Sequence, residues 1–237
     1  MSVSALMKEQ AQKWELALAP EAFEAFDLYA ARLKEANQTM NLTAVDDDEG
    51  IARRHFLDSL RPLVLGWIHP EASLVDVGTG AGFPGLPLAI ARPDIRVTLA
   101  DSLGKRVDFL RRMVAELGLE ERVEMLWIRA EELGRDAQRR EAYDFACARA
   151  VAALPTLAEY LLPLARQGGA MLAWKGPGLG EELARAQRAM DLLGGGKRTL
   201  DHYTLGGQPM TLARIEKSRP TPAAYPRRNG KPARQPL

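Results

Sequence analysis

Leu74-Val75-Asp76-Val77-Gly78-Thr79-Gly80-Ala81-Gly82-Phe83-Pro84-Gly85 is the stretch on which the fold turns. Its first four residues are apolar except for one acid, as expected of a short strand covered on both faces. Three alternate glycines follow, and a helix is expected from Pro84 or Gly85 onward. A strand, a glycine turn and a helix bring bare backbone against a ligand. Glycine supplies both the sharp turn and the missing side chain.

On the C-terminal side, β-rich runs alternate with helical ones. Strands are predicted over 73–78, 96–102, 123–130, 143–150 and 168–176, and helices over 85–92, 104–118, 131–140, 153–166 and 179–192. Such alternation implies right-handed crossovers and a parallel sheet. Two last strand-like runs, 197–205 and 210–217, are joined by Gly206-Gly207-Gln208-Pro209 and are predicted to form a hairpin. On the N-terminal side, residues 1–38 read as helix, with Phe23, Phe26, Ala30 and Leu33 on one face and a second start at Pro20. The run Asp46-Asp47-Asp48-Glu49 puts negative charge at the start of a further helix. The expected division is a helical cap (1–66), a sheet-bearing domain (67–217) and a proline-rich basic tail (218–237).

The loop satisfies two patterns. Gly80-x-Gly82-x-x-Gly85 matches the dinucleotide fingerprint, and Asp76-x-Gly78-x-Gly80-x-Gly82 matches the acidic form seen in methyltransferases. Three features favour the second pattern and with it S-adenosylmethionine. Asp76 precedes the glycines, where it suits a cationic amino acid moiety and not a pyrophosphate. The loop has no basic residue to hold phosphates. A terminal hairpin belongs to the methyltransferase arrangement, in which one of the last strands is antiparallel. Asp101, about twenty residues beyond the loop, is placed to accept both ribose hydroxyls or to cap the next helix.

Composition narrows the class. The chain has 237 residues, 46% hydrophobic and 27% charged, enough for one good core. A formal net charge of +1 means that any nucleic-acid surface is local. A single cysteine, Cys147, allows no intrachain disulfide, and His55, His69 and His202 lack metal-ligand spacing. No metal site is expected. With no apolar run of membrane length and no apolar leader, a cytoplasmic setting is expected, and a monomer.

The strings DVGTGAGFPGLPLAI, LADSLGKRVDFL, Ala148-Arg149-Ala150 and Trp174-Lys175-Gly176 resemble the bacterial 16S ribosomal RNA guanine-N7 methyltransferases, also called glucose-inhibited division protein B. Met40-Asn41-Leu42-Thr43, Arg54-His55-Phe56-Leu57-Asp58-Ser59 and Tyr225-Pro226-Arg227-Arg228 extend the likeness over nearly the whole chain. The resemblance implies a Rossmann-like class I methyltransferase fold, α/β, with a mostly parallel seven-stranded sheet. It also implies methylation of N7 at the position called guanine 527 in 16S ribosomal RNA. The partner would be the RNA, the small ribosomal subunit or an assembly intermediate. Family cofactor contacts carry over to Gly78, Phe83, Ala130, Glu131 and Arg149. Phe83 stands where leucine is common and Ala36 where a tryptophan often precedes Asn-Leu-Thr.

N7 of guanine has a lone pair and no proton, so alignment matters more than a base. Arg149 and Lys175, at the carboxyl ends of strands, are the candidates for catalysis, cofactor or RNA contact, against structural roles as an ion pair and a loop lysine. His55 and Asp58 share one side of a helix, where capping or packing is the expected role. Cys147 reads as a small buried thiol. Lys105 and Arg106 are candidate RNA contacts, as are Tyr225, Arg227, Arg228, Lys231 and Arg234 in the tail. The tail, with five prolines, five basic residues and no acid, is expected to be extended and free to order on RNA. A methyltransferase of small molecules or proteins and a non-catalytic ribosome-assembly module remain the alternatives.

Overall fold

The computed structural model describes every residue except Gly206, which belongs to the expected hairpin linker and lies outside the described residues. The helices are α1 (Val3–Lys13), α2 (Pro20–Met40), α3 (Asp48–Gly50), α4 (Arg61–Val64), α5 (Gly85–Ala91), α6 (Gly104–Glu116), α7 (Ala130–Leu133), α8 (Leu154–Leu161), α9 (Leu179–Leu192) and α10 (Lys231–Arg234). The strands are β1 (Ser73–Val77), β2 (Arg96–Asp101), β3 (Val123–Trp127), β4 (Tyr143–Arg149), β5 (Ala165–Lys175), β6 (Gly195–Leu205) and β7 (Gln208–Lys217).

They form one sheet in the order β3-β2-β1-β4-β5-β7-β6. The β1–β2, β1–β4, β2–β3 and β4–β5 pairs are parallel, whereas β7 runs antiparallel to both β5 and β6. The terminal strands thus pair as expected, and β7 lies inside, leaving β6 on the edge. Alternation along β4 divides the core. Phe145 and Cys147 face one cluster, with α1, α2, α5 and α6, while Ala146 and Ala148 face the other, with α8 and α9. Phe26 and Leu33 of α2 share an apolar cluster with Leu74, Leu99 and Phe109, so the N-terminal helices cover one face of the sheet directly.

Local chemistry explains the element boundaries. Ser2 caps α1 through a bond from Ala5 N, and Pro20 begins α2. The Asp47 side chain accepts from Gly50 N at the start of α3, as the acidic run suggested. α3 passes directly into a π-helical stretch, Ile51–Leu57, that presents Ile51, Ala52, Phe56 and Leu57 to the core. The wider turn of a π-helix changes the register of its side chains and often marks functional segments.

Two expectations need correction. The helix predicted over 131–140 is confined to α7 (Ala130–Leu133), and turns follow it. The tail is not free. Arg140 donates to the carbonyls of Thr221 and Tyr225 at 2.7 Å each, Arg135 donates to that of Pro226, and Thr156 donates to that of Pro232. Thr221, Pro226 and Pro232 are buried. Composition suggested a solvated chain because backbone carbonyls, the acceptors that dock this tail, leave no mark in a sequence. Among the described residues no helix is long and apolar enough to cross a membrane.

Candidate active site

The loop after β1 is held by its own strand neighbours. Gly78 N and Thr79 N donate to Ala100 O, and Gly80 N donates to Asp101 Oδ2 at 2.9 Å. Gly82 has φ 109, and a Cβ there would stand 2.9 Å from Leu110 Cδ2 and closer still to the Tyr29 hydroxyl. Gly80, at φ 63, is different: a Cβ there would meet nothing nearer than Gly78 O at 4.0 Å. Its backbone therefore faces open space, as a cradle for a flat or extended ligand requires.

The two acids flanking the loop are divided in role. Asp76 is fully buried, and its Oδ2 accepts from Thr79 Oγ1 at 2.7 Å and from Gly85 N at 2.8 Å. The expected contact with a cofactor ammonium is replaced here by bonds that close the loop on itself. Among the described residues Asp76 Oδ1 is buried without a nitrogen or oxygen donor, and burial raises the carboxyl pKa to about 6. Asp101 accepts from Gly80 N and Leu103 N, one bond on each oxygen. It does not cap α6, whose N-cap is Leu103, but it bonds Leu103 N just ahead of that helix and keeps lone pairs for further donors. An adenosyl cofactor fits this pair of features, an open glycine backbone beside a carboxylate with spare acceptor capacity.

Arg149, at the end of β4, lies in a cluster that links distant parts of the chain. Its Nη1 donates to Arg54 O at 2.7 Å and to Asp58 Oδ2 at 3.0 Å, and its Nη2 bonds His55 Nδ1 at 3.2 Å. The guanidinium lies over the Phe83 ring at 5.0 Å, and His55 stacks on that ring at 4.5 Å. A guanidinium has only donors, so His55 Nδ1 accepts, and Nε2–H donates to Thr43 Oγ1 at 2.7 Å. Burial and then the Arg149 charge lower the His55 pKa to about 4, keeping the ring neutral. Of the five N–H groups of Arg149, Nε–H and one on Nη2 have no partner among the described residues. Asp58 is 1% exposed, and burial raises its pKa against the pull of Arg149 and a Tyr203 hydrogen bond.

The remaining predicted residues are dispersed. Lys175 Nζ is committed to Ala152 O at 2.8 Å and to Glu182 Oε2 at 2.7 Å, which makes it a brace between β5 and α9 in place of the expected exposed donor. Phe83 is buried, its side chain packed between His55 and Tyr29. Glu131 is buried and accepts from Gly230 N of the tail, so the acid of the predicted adenine-side pair Ala130–Glu131 is tied to the tail. Arg227 is bidentate on Glu159, a carboxylate with no exposure, and is therefore a structural ion pair. Lys105, Arg228, Lys231 and Arg234 are exposed; Arg106 stands 3.6 Å from Asp101, and Tyr225 is half-buried. Sequence reasoning missed Tyr29, whose hydroxyl donates to Ala81 O of the loop. Its signal was helical spacing, three residues beyond Phe26. It also missed Tyr203, for which no local signal existed.

The strand order, the glycine loop after β1 and the acid that ends β2 define the fold of the S-adenosylmethionine-dependent methyltransferases. Solved structures agree. The chain is similar to precorrin-6y C5,15-methyltransferase of Geobacter metallireducens, with TM-score 0.51 and 11% identity over 76% of this chain and 93% of that one. It is also similar to TrmN of Thermus thermophilus, with TM-score 0.53 and 22% identity over 70% of this chain and 53% of that one. Within that class, the family model for rRNA small subunit methyltransferase G matches residues 22–209. The ribosomal RNA small subunit methyltransferase G of Roseiflexus sp. is 50% identical over 98% of this chain and 99% of its own length. That of Deinococcus radiodurans is 47% identical over 98% of this chain and 92% of its own. The chain belongs to the ribosomal RNA small subunit methyltransferase G family.

Proposed function

We propose that this protein methylates N7 of one guanine in 16S ribosomal RNA, at the family's guanine 527 position, using S-adenosylmethionine. The observation that carries the N7 assignment is that the titratable groups around Arg149 are already engaged. His55 uses both ring nitrogens, Asp58 uses both oxygens, and burial pushes the Cys147 thiol far up. A nucleophile that must lose a proton would need a free base, and a carbon-5 pyrimidine reaction would need a reactive thiolate. N7 needs neither. Family membership supports RNA over a small molecule or a protein as substrate.

Bound S-adenosylmethionine supplies an electrophilic methyl group, which leaves the sulfonium as the N7–carbon bond forms and passes the positive charge to the guanine ring. The protein aligns the reactants and excludes water. Gly78 and Gly80 would offer backbone to the cofactor while Gly82 packs the loop against Leu110 and Tyr29, Asp101 would accept from its ribose, and Ala130 and Glu131 would border its adenine. Arg149 would offer its two remaining N–H groups to cofactor or RNA phosphate. Lys105, Arg106, Arg228, Lys231, Arg234 and Tyr225 supply phosphate and stacking contacts on the docked tail and α6.

The test incubates the protein with labelled S-adenosylmethionine and small subunits lacking the modification, then maps the label. Label on guanine N7 is expected. Label on an exocyclic amine, a ribose or a pyrimidine would refute the assignment, and label on naked 16S RNA alone would exclude the subunit as substrate.

A further inference from the structure

Asp58 receives a second donor from far along the chain. Tyr203, on the edge strand β6, donates its hydroxyl to Asp58 Oδ1 at 2.5 Å, while Asp58 Oδ2 takes Arg149 Nη1 at 3.0 Å. Trp174 of β5 donates its indole N–H to the Asp58 backbone carbonyl at 2.8 Å. Asp58 is thus held by β4, β5 and β6 together. Tyr203 is itself fixed. The Arg61 guanidinium lies 4.9 Å from the centre of its ring, and Arg61 is bidentate on Asp201 at 2.6 and 2.9 Å. Asp201 and Tyr203 are two apart on β6 and so share one face of that strand.

We propose that Tyr203 is a positioning residue for methyl transfer, acting through Asp58 to set the orientation of Arg149. This rests on the reading of Arg149 as a cofactor or RNA contact. A carboxylate can rotate about its last bond. With Oδ1 held by the Tyr203 hydroxyl, Oδ2 is aimed at Arg149 and takes only Nη1, while His55 Nδ1 takes one N–H of Nη2. The unpartnered Nε–H and Nη2–H then keep one direction. Without the hydroxyl, Oδ1 is an orphan acceptor in a dry site, and Asp58 relieves it by taking a proton or by turning both oxygens to Arg149. Either response re-aims the guanidinium. The groups facing Asp58 are Arg149 from β4, Tyr203 from β6 and, one helical turn to either side along the chain, His55 and Arg61.

The experiment measures single-turnover methylation of unmodified small subunits by wild type, Tyr203→Phe, Arg149→Lys and the double variant, between pH 5 and 8. Loss of a hydrogen bond to a charged group predicts a rate about tenfold lower for Tyr203→Phe. Its acid limb moves to higher pH, because the Asp58 anion has lost a donor. In the Arg149→Lys background the same change adds little. A Tyr203→Phe enzyme with wild-type rate and profile overturns the proposal, as does an equal loss in both backgrounds. Should Arg149→Lys itself methylate normally, the assignment of Arg149 fails, and the positioning with it. Asp58→Asn supplies a second variant, expected to show a larger loss and the same dependence on Arg149.

Discussion

The glycine loop and the Arg149 cluster stand side by side, and they are built in opposite ways. The loop is closed mostly by bonds between neighbours in sequence, from Asp76 to Thr79 three residues away and to Gly85 nine away, with Asp101 21 residues from Gly80 and the Tyr29 hydroxyl reaching Ala81 across 52. The cluster is closed by bonds across 91 residues from Arg149 to Asp58 and 145 from Tyr203 to Asp58. One is dictated by local backbone geometry. The other exists only when three strands and the N-terminal helices have packed.

The difference has consequences that mutation and pH can expose. The largest concerns the loop. Gly82→Val places a branched side chain at φ 109 against Leu110 and Tyr29, and no native protein should be recovered; a cooperative unfolding transition at the wild-type temperature would show that the loop tolerates rebuilding.

Next comes a contrast in pH dependence. The folded-state pKa of His55 is about 4, depressed from 6.5, so its stabilising contribution is full above pH 6.5 and is lost as pH falls through about 4. Asp76 has the reverse sign. Its folded pKa is about 6 against 3.8, so its contribution is full below pH 3.8 and is lost as pH rises through about 6. Each amounts to as much as about 3 kcal/mol. Urea unfolding between pH 4 and 7 should show His55→Asn closing on wild type as the pH is lowered, and Asp76→Asn closing on it as the pH is lowered only if the two signs are the same. Opposite trends are expected, and parallel trends would mean that one of the two pKa shifts has the other sign.

A smaller effect separates charge from geometry in the cluster. Arg149→Lys keeps a cation beside Asp58 but loses the rigid fork, so methylation should fall at least about tenfold with little change in melting temperature. An unchanged rate would remove Arg149 from the site. The smallest stability effect belongs to Gly80→Ala, about 1 kcal/mol for a left-handed alanine, because open space receives the methyl. Calorimetric titration should nevertheless show weakened S-adenosylmethionine binding; wild-type affinity would move the cofactor away from this backbone.

Much of the frame was legible before folding. Alternating strands and helices, Pro20 at the start of α2 and the acidic run before α3 are local signals, and each appears in the structure. The loop was legible because glycine spacing and a following acid report directly on backbone conformation. The cluster was not. His55 and Asp58 read as helix residues with packing roles, and nothing near Tyr203 announces its bond to Asp58. Lys175 shows the converse: its position after β5 suggested an exposed donor, and Glu182 on α9 takes its charge. Arg227 was likewise counted as a tail cation, although buried Glu159 holds it.

By itself the sequence determined the alternation of strands and helices that makes a mostly parallel sheet, the antiparallel pairing at its end and the glycine turn after β1, whereas the order of the strands came from the tertiary structure. Side-chain period and glycine conformation act over a few residues, so a linear reading reaches them. Only the tertiary structure decided which groups remain free at the site. Arg149 retains two N–H groups, Lys175 is drawn to Ala152 O and Glu182, and the tail lies bound along α7 and α8. Those outcomes depend on how helices seat against the sheet, because a hydrogen bond across a hundred residues forms only after packing has brought its partners within 3 Å.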